Sequence, residues 1–372
     1  MITEITAKSL FRKYKRIESW FLCRYGMNLY RGCGHNCAYC DGRAEGYYVD
    51  GEFGRDIAVK ANAIELLRRE LDPSRRRKPV AGGYVAIGGG VGDTYQPAEK
   101  TYCLASRVLK LLLQYRRPVH ILTKSTLVQR DIDIISRIND VSRAMVSFSF
   151  SSVDDRISAV FEPGVPPPAE RLAALAAFKK RGIACGMYLM PVIPFVTDLV
   201  DKMEASVKAA ADAGLDFVVF GGMTLKDGRQ RQHFMRVLER HFPDTAHQYD
   251  IIYRGDRYGQ AHPEYYEAVN QAFVSLAAKY RMPMRIPSRL YADLLNDNDL
   301  VTVMLEHLDY LYKQRGYRSP FGLAAWSISQ LKEPLSTMEL GLGRIKGVGE
   351  RCRKVVREIL ETRRCGELEE ML

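Results

Sequence analysis

The sequence predicts an α/β protein, a partial or full (β/α) barrel followed by a mostly helical C-terminal region. Two observations lead there. Short apolar runs of strand character alternate with helix-patterned segments between residues 25 and 225, which is the rhythm of parallel βαβ units. Beyond residue 225 the pattern turns helical, at 229–241, 264–280 and 299–314. A doubly wound sheet is the competing arrangement, and in either one reactive groups gather at the carboxyl ends of the strands.

Taken in order, residues 1–24 read as a basic N-terminal extension. Across residues 1–31, Lys8, Arg12, Lys13, Lys15, Arg16, Arg24 and Arg31 oppose only Glu4 and Glu18. Residues 25–29 are placed as the first barrel strand. Residues 83–87 (GYVAI) form a short apolar strand that ends in Gly88, Gly89 and Gly90. The segment 100–115 carries Leu104, Val108, Leu111 and Leu112 at helical spacing. Residues 119–123 (VHILT) are strand-like, 131–138 helical, and 144–151 (AMVSFSFS) alternate as a strand does. Pro166, Pro167 and Pro168 make a stiff entry to a helix over 170–181 that stops at Gly182. A strand at 184–190, a helix at 201–213 capped by Gly214 and a strand at 217–220 follow. Residues 284–286, between Pro283 and Pro287, read as a last strand. The division expected is a barrel core at 25–290, a helical connector at 291–330 and a separable segment at 331–372.

Hydrophobic residues at 47% and charged residues at 27% exclude wholesale disorder. The uncharged stretch 183–197 is interrupted by Pro191 and Pro194 and is too short to span a bilayer. The N-terminus lacks the apolar stretch of a secretory signal. The expectation is a cytoplasmic monomer with no membrane contact. The 55 Lys and Arg against 44 acids give a net charge of +11, which favours polyanionic partners, chiefly nucleic acid.

Three of the eight cysteines, Cys33, Cys37 and Cys40, lie within eight residues, and the others are scattered. A disulfide framework would be distributed differently. The spacing C-x3-C-x2-C offers no fourth ligand at zinc-finger distance, and His35 sits awkwardly inside the compact loop. Three thiolates suit a [4Fe–4S] cluster with one iron left open to a substrate or cofactor.

This pattern, with Tyr39 just before the third cysteine, resembles the radical S-adenosylmethionine superfamily. The resemblance implies that Cys33, Cys37 and Cys40 hold the cluster. It implies that S-adenosylmethionine chelates the open iron and that its one-electron reduction gives a 5′-deoxyadenosyl radical. An electron donor such as flavodoxin or ferredoxin is implied with it. Gly88, Gly89 and Gly90 stand where that family places a Gly-rich turn against the methionine amino group. The succession Asp93 to Glu99, Ile121 to Ser125, Val146 to Ser149, and Glu162-Pro163 resembles the spore photoproduct lyase-like branch. By that resemblance Lys124 and Ser149, with Ser147 as the alternative, contact the cofactor's carboxylate or ribose. Tyr39 joins them as a cofactor-binding residue. The lyase's second-strand cysteine has no counterpart in GYVAI. Tyr84 and Tyr95 are therefore considered as radical relays, against the ordinary role of packed tyrosines.

Near the C-terminus, Ile345-Lys-Gly-Val-Gly349 precedes a helix at 350–362, with a short helix at 336–342 before it. The arrangement resembles a helix–hairpin–helix DNA-binding motif. Gly347, Gly349, Lys346 and Arg351 are its candidate nucleic-acid contacts, because glycines at a helix N-terminus expose N–H groups to phosphate. Residues 344–364 carry eight basic and three acidic side chains. The leading expectation is a radical enzyme for DNA repair or nucleic-acid modification, acting on DNA or on RNA. A radical enzyme for a peptide or small molecule, and a non-enzymatic iron–sulfur DNA-binding protein, are the alternatives.

Overall fold

The computed structural model describes residues 1–47, 51–75, 80 and 82–372, the side chains at 339 and 340 excepted. Among the described residues ten strands appear in chain order: β1 (Ile2–Ile5), β2 (Phe11–Glu18), β3 (Cys23–Met27), β4 (Tyr30–Arg31), β5 (Ile57–Lys60), β6 (Tyr84–Ile87), β7 (Val119–Thr123), β8 (Ala144–Phe150), β9 (Ala184–Val192) and β10 (Phe217–Gly222). The large sheet runs β10-β9-β8-β7-β6-β3-β2. Its strands from β3 to β10 are parallel, and β2 is an antiparallel edge. A small sheet, β1-β5-β4, lies apart. This is the partial (β/α) barrel.

Helices α1 (Ala63–Leu71), α2 (Glu99–Tyr102), α3 (Leu104–Gln114), α4 (Ile132–Ser142), α5 (Asp155–Phe161), α6 (Pro168–Lys180) and α7 (Val200–Asp212) fall between the strands. They form because apolar residues recur at i, i+3 and i+4, as Leu104, Val108, Leu111 and Leu112 do, all buried. The expected single helix at 100–115 is two, broken at Cys103, whose φ is 48°. Then come α8 (Arg229–His241), α9 (Ala246–Ile252), α10 (Pro263–Lys279), α11 (Asp297–Gln314), α12 (Phe321–Ser329), α13 (Glu350–Thr362) and α14 (Gly366–Met371).

Four expectations are corrected. Residues 1–24 are not an extension, since β1 pairs with β5 and β2 with β3. Residues 284–286 are not a strand. Prolines at 283 and 287 remove the donors a ladder needs, leaving one backbone bond from Val218 N–H to Pro283 O at 2.8 Å. Residues 291–372 do not stand apart either. Ten residues of α11 are buried, Arg24 pairs with Asp299, and Val355, Val356 and Ile359 of α13 join the same hydrophobic cluster as the barrel. The short helix expected at 336–342 is two 3-10 turns, Leu335–Thr337 and Glu339–Arg344.

The barrel interior is filled by rings. Phe21 stacks on Tyr188, and His120 lies against Phe21, Tyr84 and Tyr188. Arg285 is held between Trp20 and Tyr310, 4.0 and 3.5 Å from their ring centres. Burial lowers the His120 pKa to about 4, and burial together with Arg285 lowers that of His307 to about 3. Both stay neutral in the fold, while unfolded imidazoles protonate near about 6.5. Their stabilisation is full above that value and is lost as pH falls toward the folded pKa values. The unfolding free energy should drop between pH 6.5 and 4.5, by about 1.4 kcal/mol per pH unit for each proton taken up on unfolding. A flat profile, or one unchanged in His307→Phe, would show that these rings do not titrate on unfolding.

Candidate functional site

The cysteine loop leaves β4 and ends in the 3-10 turn Asp41–Arg43. Cys33 and Cys37 are buried and Cys40 is half-buried. Backbone bonds from several elements fix the loop. Gly34 N–H donates to Gln96 Oε1 at 2.8 Å, and Gln96 Nε2 donates to Gly32 O at 3.1 Å. Ala38 N–H donates to Phe161 O at 2.8 Å, and Arg43 Nε to Cys37 O at 3.0 Å. His35 is not a spare ligand. Its Nδ1 meets Gly164 O at 2.8 Å. Its Nε2 lies 3.2 Å from the Asp93 carboxylate, close enough for attraction though outside hydrogen-bonding angles.

Asp93 joins this loop to the end of β7. Its carboxylate accepts from Thr123 Oγ1 at 2.8 Å, Lys124 N–H at 2.7 Å and Tyr95 N–H at 2.8 Å. Burial pushes its pKa up, but His35 and the N–H donors outweigh this and hold it below the ordinary value. Lys124 then reaches across the strand ends. Its Nζ donates to Ser149 Oγ at 2.9 Å and to Glu162 Oε1 at 2.9 Å, and lies 5.6 Å from the Tyr39 ring centre.

Glu162, quoted from the sequence only as part of the branch pattern and given no role there, is the hub. It is fully enclosed and accepts from the Tyr39 hydroxyl, Lys124, Ser158 at 3.1 Å and Arg171 at 2.8 Å. Burial raises its pKa, yet Arg171 and then Lys124 more than compensate and keep the carboxylate ionised. The network thus ties Tyr39, inside the cysteine loop, to the cationic end of β7.

Gly88, Gly89 and Gly90 follow β6 with φ of 82°, 91° and 69°. A Cβ at Gly88 would lie 2.3 Å from Leu122 O, whereas one at Gly90 would meet nothing within 4 Å. The turn is therefore closed toward β7 and open on its last residue. The structure brings together the cysteine loop, Tyr39, Lys124 and Ser149, with Gly88–Gly90 at the same strand ends. Ser147 is not among them, because it is buried one pleat deeper and bonds His120 Nε2 at 2.9 Å. The relay tyrosines are corrected too. Tyr84 begins β6, at the opposite end of the barrel, and donates to Leu290 O at 2.6 Å. Tyr95 donates to Asp131 at 3.0 Å, within a cluster that includes Arg130 and Ser106.

The donor set fits an iron–sulfur cluster. Among the described residues, no three Cys, His, Asp or Glu side chains converge tightly enough for a single ion. A multi-iron cluster spreads its thiolate ligands wider than one ion does. Burial pushes all three thiols up, to about 12 at Cys37, where Lys124 opposes the rise. Metal binding would have to displace these protons.

At the C-terminus, Gly347 has φ 83°, and a Cβ there would lie 2.8 Å from Leu323 Cγ and 2.9 Å from Ala324 N. The turn is pressed against α12. Gly349 is the N-cap of α13, and Lys346 is exposed. Arg351 is already engaged by Glu367 at 2.7 Å and by the Tyr312 hydroxyl. No helix among the described residues is long and apolar enough to cross a membrane.

With this geometry in place, the comparisons bear on class. Residues 27–205 match the family described as the Radical SAM superfamily. The chain belongs to the radical S-adenosylmethionine superfamily and is a radical enzyme of that kind, whose cofactors are a [4Fe–4S] cluster and S-adenosylmethionine. Among its relatives is an uncharacterized protein of Mycobacterium tuberculosis, 34% identical over 284 residues, which are 75% of this chain and 81% of the relative. An uncharacterized protein of Methanocaldococcus jannaschii is 28% identical over 230 residues, 62% of this chain and 79% of the other. Spore photoproduct lyase in complex with a dinucleoside spore photoproduct shares the fold with a TM-score of 0.54 at 17% identity, covering 75% of this chain and 79% of that one.

Proposed function

We propose that this enzyme carries out repair or modification of nucleic acid, with DNA as the first candidate and RNA as the second. The observation that carries the reading is the convergence of the three-cysteine loop, the Lys124–Glu162–Tyr39 network and the Gly88–Gly90 turn at one end of a parallel sheet. The +11 charge and the Lys346–Gly349 turn add the polyanion. Cys33, Cys37 and Cys40 would hold the [4Fe–4S] cluster, and Gly88–Gly90, Lys124, Ser149 and Tyr39 would hold S-adenosylmethionine. With a donor such as flavodoxin or ferredoxin, the pair bound there would supply hydrogen-abstraction chemistry. The chain's own residues position and enclose. Glu162 fixes Lys124 so that its ammonium meets a carboxylate from one direction. Gln96 and Asp93 hold the loop that carries the thiols.

No cysteine lies on β6 to return hydrogen to a product, since that strand reads YVAI. The lyase reaction itself is therefore not assigned. A base within a duplex would have to leave the stack to reach the strand ends.

The test is anaerobic incubation with dithionite, S-adenosylmethionine and DNA or RNA, scored by mass spectrometry for deoxyadenosine and for altered bases. Deoxyadenosine with no altered base in any nucleic acid would favour a peptide or small-molecule substrate. Lys124→Ala should weaken S-adenosylmethionine binding roughly ten- to a hundredfold, the loss of one charge-assisted bond, with the iron spectrum unchanged. An unaltered dissociation constant removes Lys124 from the cofactor site.

A further inference from the structure

Behind the cysteine loop, between the segment that follows Cys40 and the outer face of α8, lies a cavity of about 380 Å³. Arg43, Phe53, Arg229, His233 and Arg236 line it, with Glu52 the one acidic side chain in the lining among the described residues. Arg229, His233 and Arg236 stand at i, i+4 and i+7, so one face of α8 presents all three. Arg43 faces them from the loop. It is only 7% exposed, with its guanidinium 4.9 Å from the Phe53 ring centre and bonded to Cys37 O and to Asn36 O at 3.2 Å. Glu52 is drawn to Arg55 at 3.1 Å. Burial, then Arg43 and Arg236, push the His233 pKa down to about 4, so the guanidiniums stand near enough to repel a proton. Glu45 stands at its edge and meets Arg229, with Oε1 2.8 Å from the backbone N–H and 3.5 Å from Nε. Among the described residues, Arg43, Arg229 and Arg236 still outnumber Glu52 and Glu45, which leaves a net positive charge.

It also lies on the rim where the strands end. Asp41, two residues before Arg43, accepts from Thr224 and from Lys226 at 2.8 Å, in the segment between β10 and α8. Arginines converging from two elements suit a group with several oxygens more than a single carboxylate. The aromatic wall adds a flat face beside them.

We propose that this cavity is a phosphate site, separate from the thiols, and that it takes a backbone phosphate of the nucleic-acid strand whose base is offered to the barrel mouth. The inference rests on the nucleic-acid reading above and adds to it a place where the strand is held. Arg229 and Arg236 are its contacts from α8, and both side chains are exposed, so their replacement spares the core. Arg43 supports the loop from the inside.

The test uses the full chain and a fluorescent single-stranded oligodeoxynucleotide, with affinity read across a salt series. Arg229→Ala/Arg236→Ala should bind roughly tenfold more weakly, with a salt slope flattened by about 0.7 for each phosphate that is no longer neutralised. Arg229→Lys/Arg236→Lys should recover most of the slope. An oligonucleotide with neutral methylphosphonate linkages should bind native and variant protein alike. If the native protein binds the oligonucleotide and the Ala variant matches it in affinity and slope, the phosphate site is wrong and the nucleic-acid reading stands. If the native protein binds no oligonucleotide, both fall. Saturable binding of inorganic phosphate that the Ala variant loses, with oligonucleotide affinity unchanged, would make the cavity a free-anion site and overturn the strand assignment. Slower reduction by flavodoxin in the Ala variant, with oligonucleotide affinity unchanged, would assign the cavity to an acidic donor protein and overturn it equally.

Discussion

Cys37→Ala should abolish iron binding while leaving the barrel folded. The native protein, reconstituted anaerobically, should hold about four iron and four sulfide per chain. Cys33→Ala and Cys40→Ala should behave as Cys37→Ala does. The fold should survive because the loop is fixed by Gln96, Phe161, Asp93 and Arg43, none of which bonds through a thiol. Cys103→Ala and Cys185→Ala should keep full iron. The Cys103 thiol lies between α2 and α3, and that of Cys185 packs against Leu175 O at 3.8 Å. Iron and sulfide analysis with circular dichroism reads both halves of the expectation. Undiminished iron in Cys37→Ala would falsify the cluster assignment.

The largest effect on stability is expected at Glu162. Glu162→Gln keeps the shape but strands Arg171, which is fully enclosed, and Lys124, 14% exposed, without their shared counter-charge. Breaking a buried pair in this way costs about 3–5 kcal/mol. The denaturant midpoint should fall accordingly, and Lys124→Met in the same chain should recover part of the loss, because the two sites are coupled. The acid behaviour follows from the direction of the shift. The folded pKa is depressed, so the stabilisation is complete above the unfolded value near about 4.3 and is lost only as pH falls through the folded one. Native protein should therefore keep this contribution at pH 5. A midpoint in Glu162→Gln equal to the native one would mean that the network is solvated and not structural.

Much of the fold was legible because periodicity is a local property. Strands at 119–123 and 144–151, and helices at 229–241 and 350–362, fall within a residue of their observed bounds. What escaped was pairing. Nothing local says that the basic stretch 11–18 finds an edge beside β3, or that α11 seats against β3 through Arg24 and Asp299 and against β2 through Arg16 and Glu306. The cysteine spacing is specific, whereas the glycine triplet alone is also an ordinary strand-to-helix turn; the structure has the triplet directly after β6 and the cysteine loop after β4. Lys124 and Ser149 lie at the ends of β7 and β8, the position expected of them. Ser147 differs from Ser149 by one pleat, which moves a side chain from the rim into the floor. The tyrosines misled because an aromatic with a hydroxyl is as useful in a core as in a site. Arg171 had a signal that went unread. It shares the buried stripe Arg171, Ala174, Leu175 and Phe178 of α6, and a charge on a core stripe requires a buried partner. That partner is Glu162.

The many anchors of the cysteine loop bear on how the enzyme matures. In a zinc finger the metal supplies the folding energy, and the apoprotein is unstructured. Here Gln96, Phe161 and Gly164 hold the loop by hydrogen bonds, and Asp93 by its approach to His35, none of which needs iron. Folding and metal loading are then separable events, with a finished receptacle made first and filled afterwards. Loss of the cluster to oxygen would leave a receptive apoprotein rather than an unfolded chain marked for degradation. The same molecule could pass through repeated cycles of damage and refilling by the cell's assembly machinery.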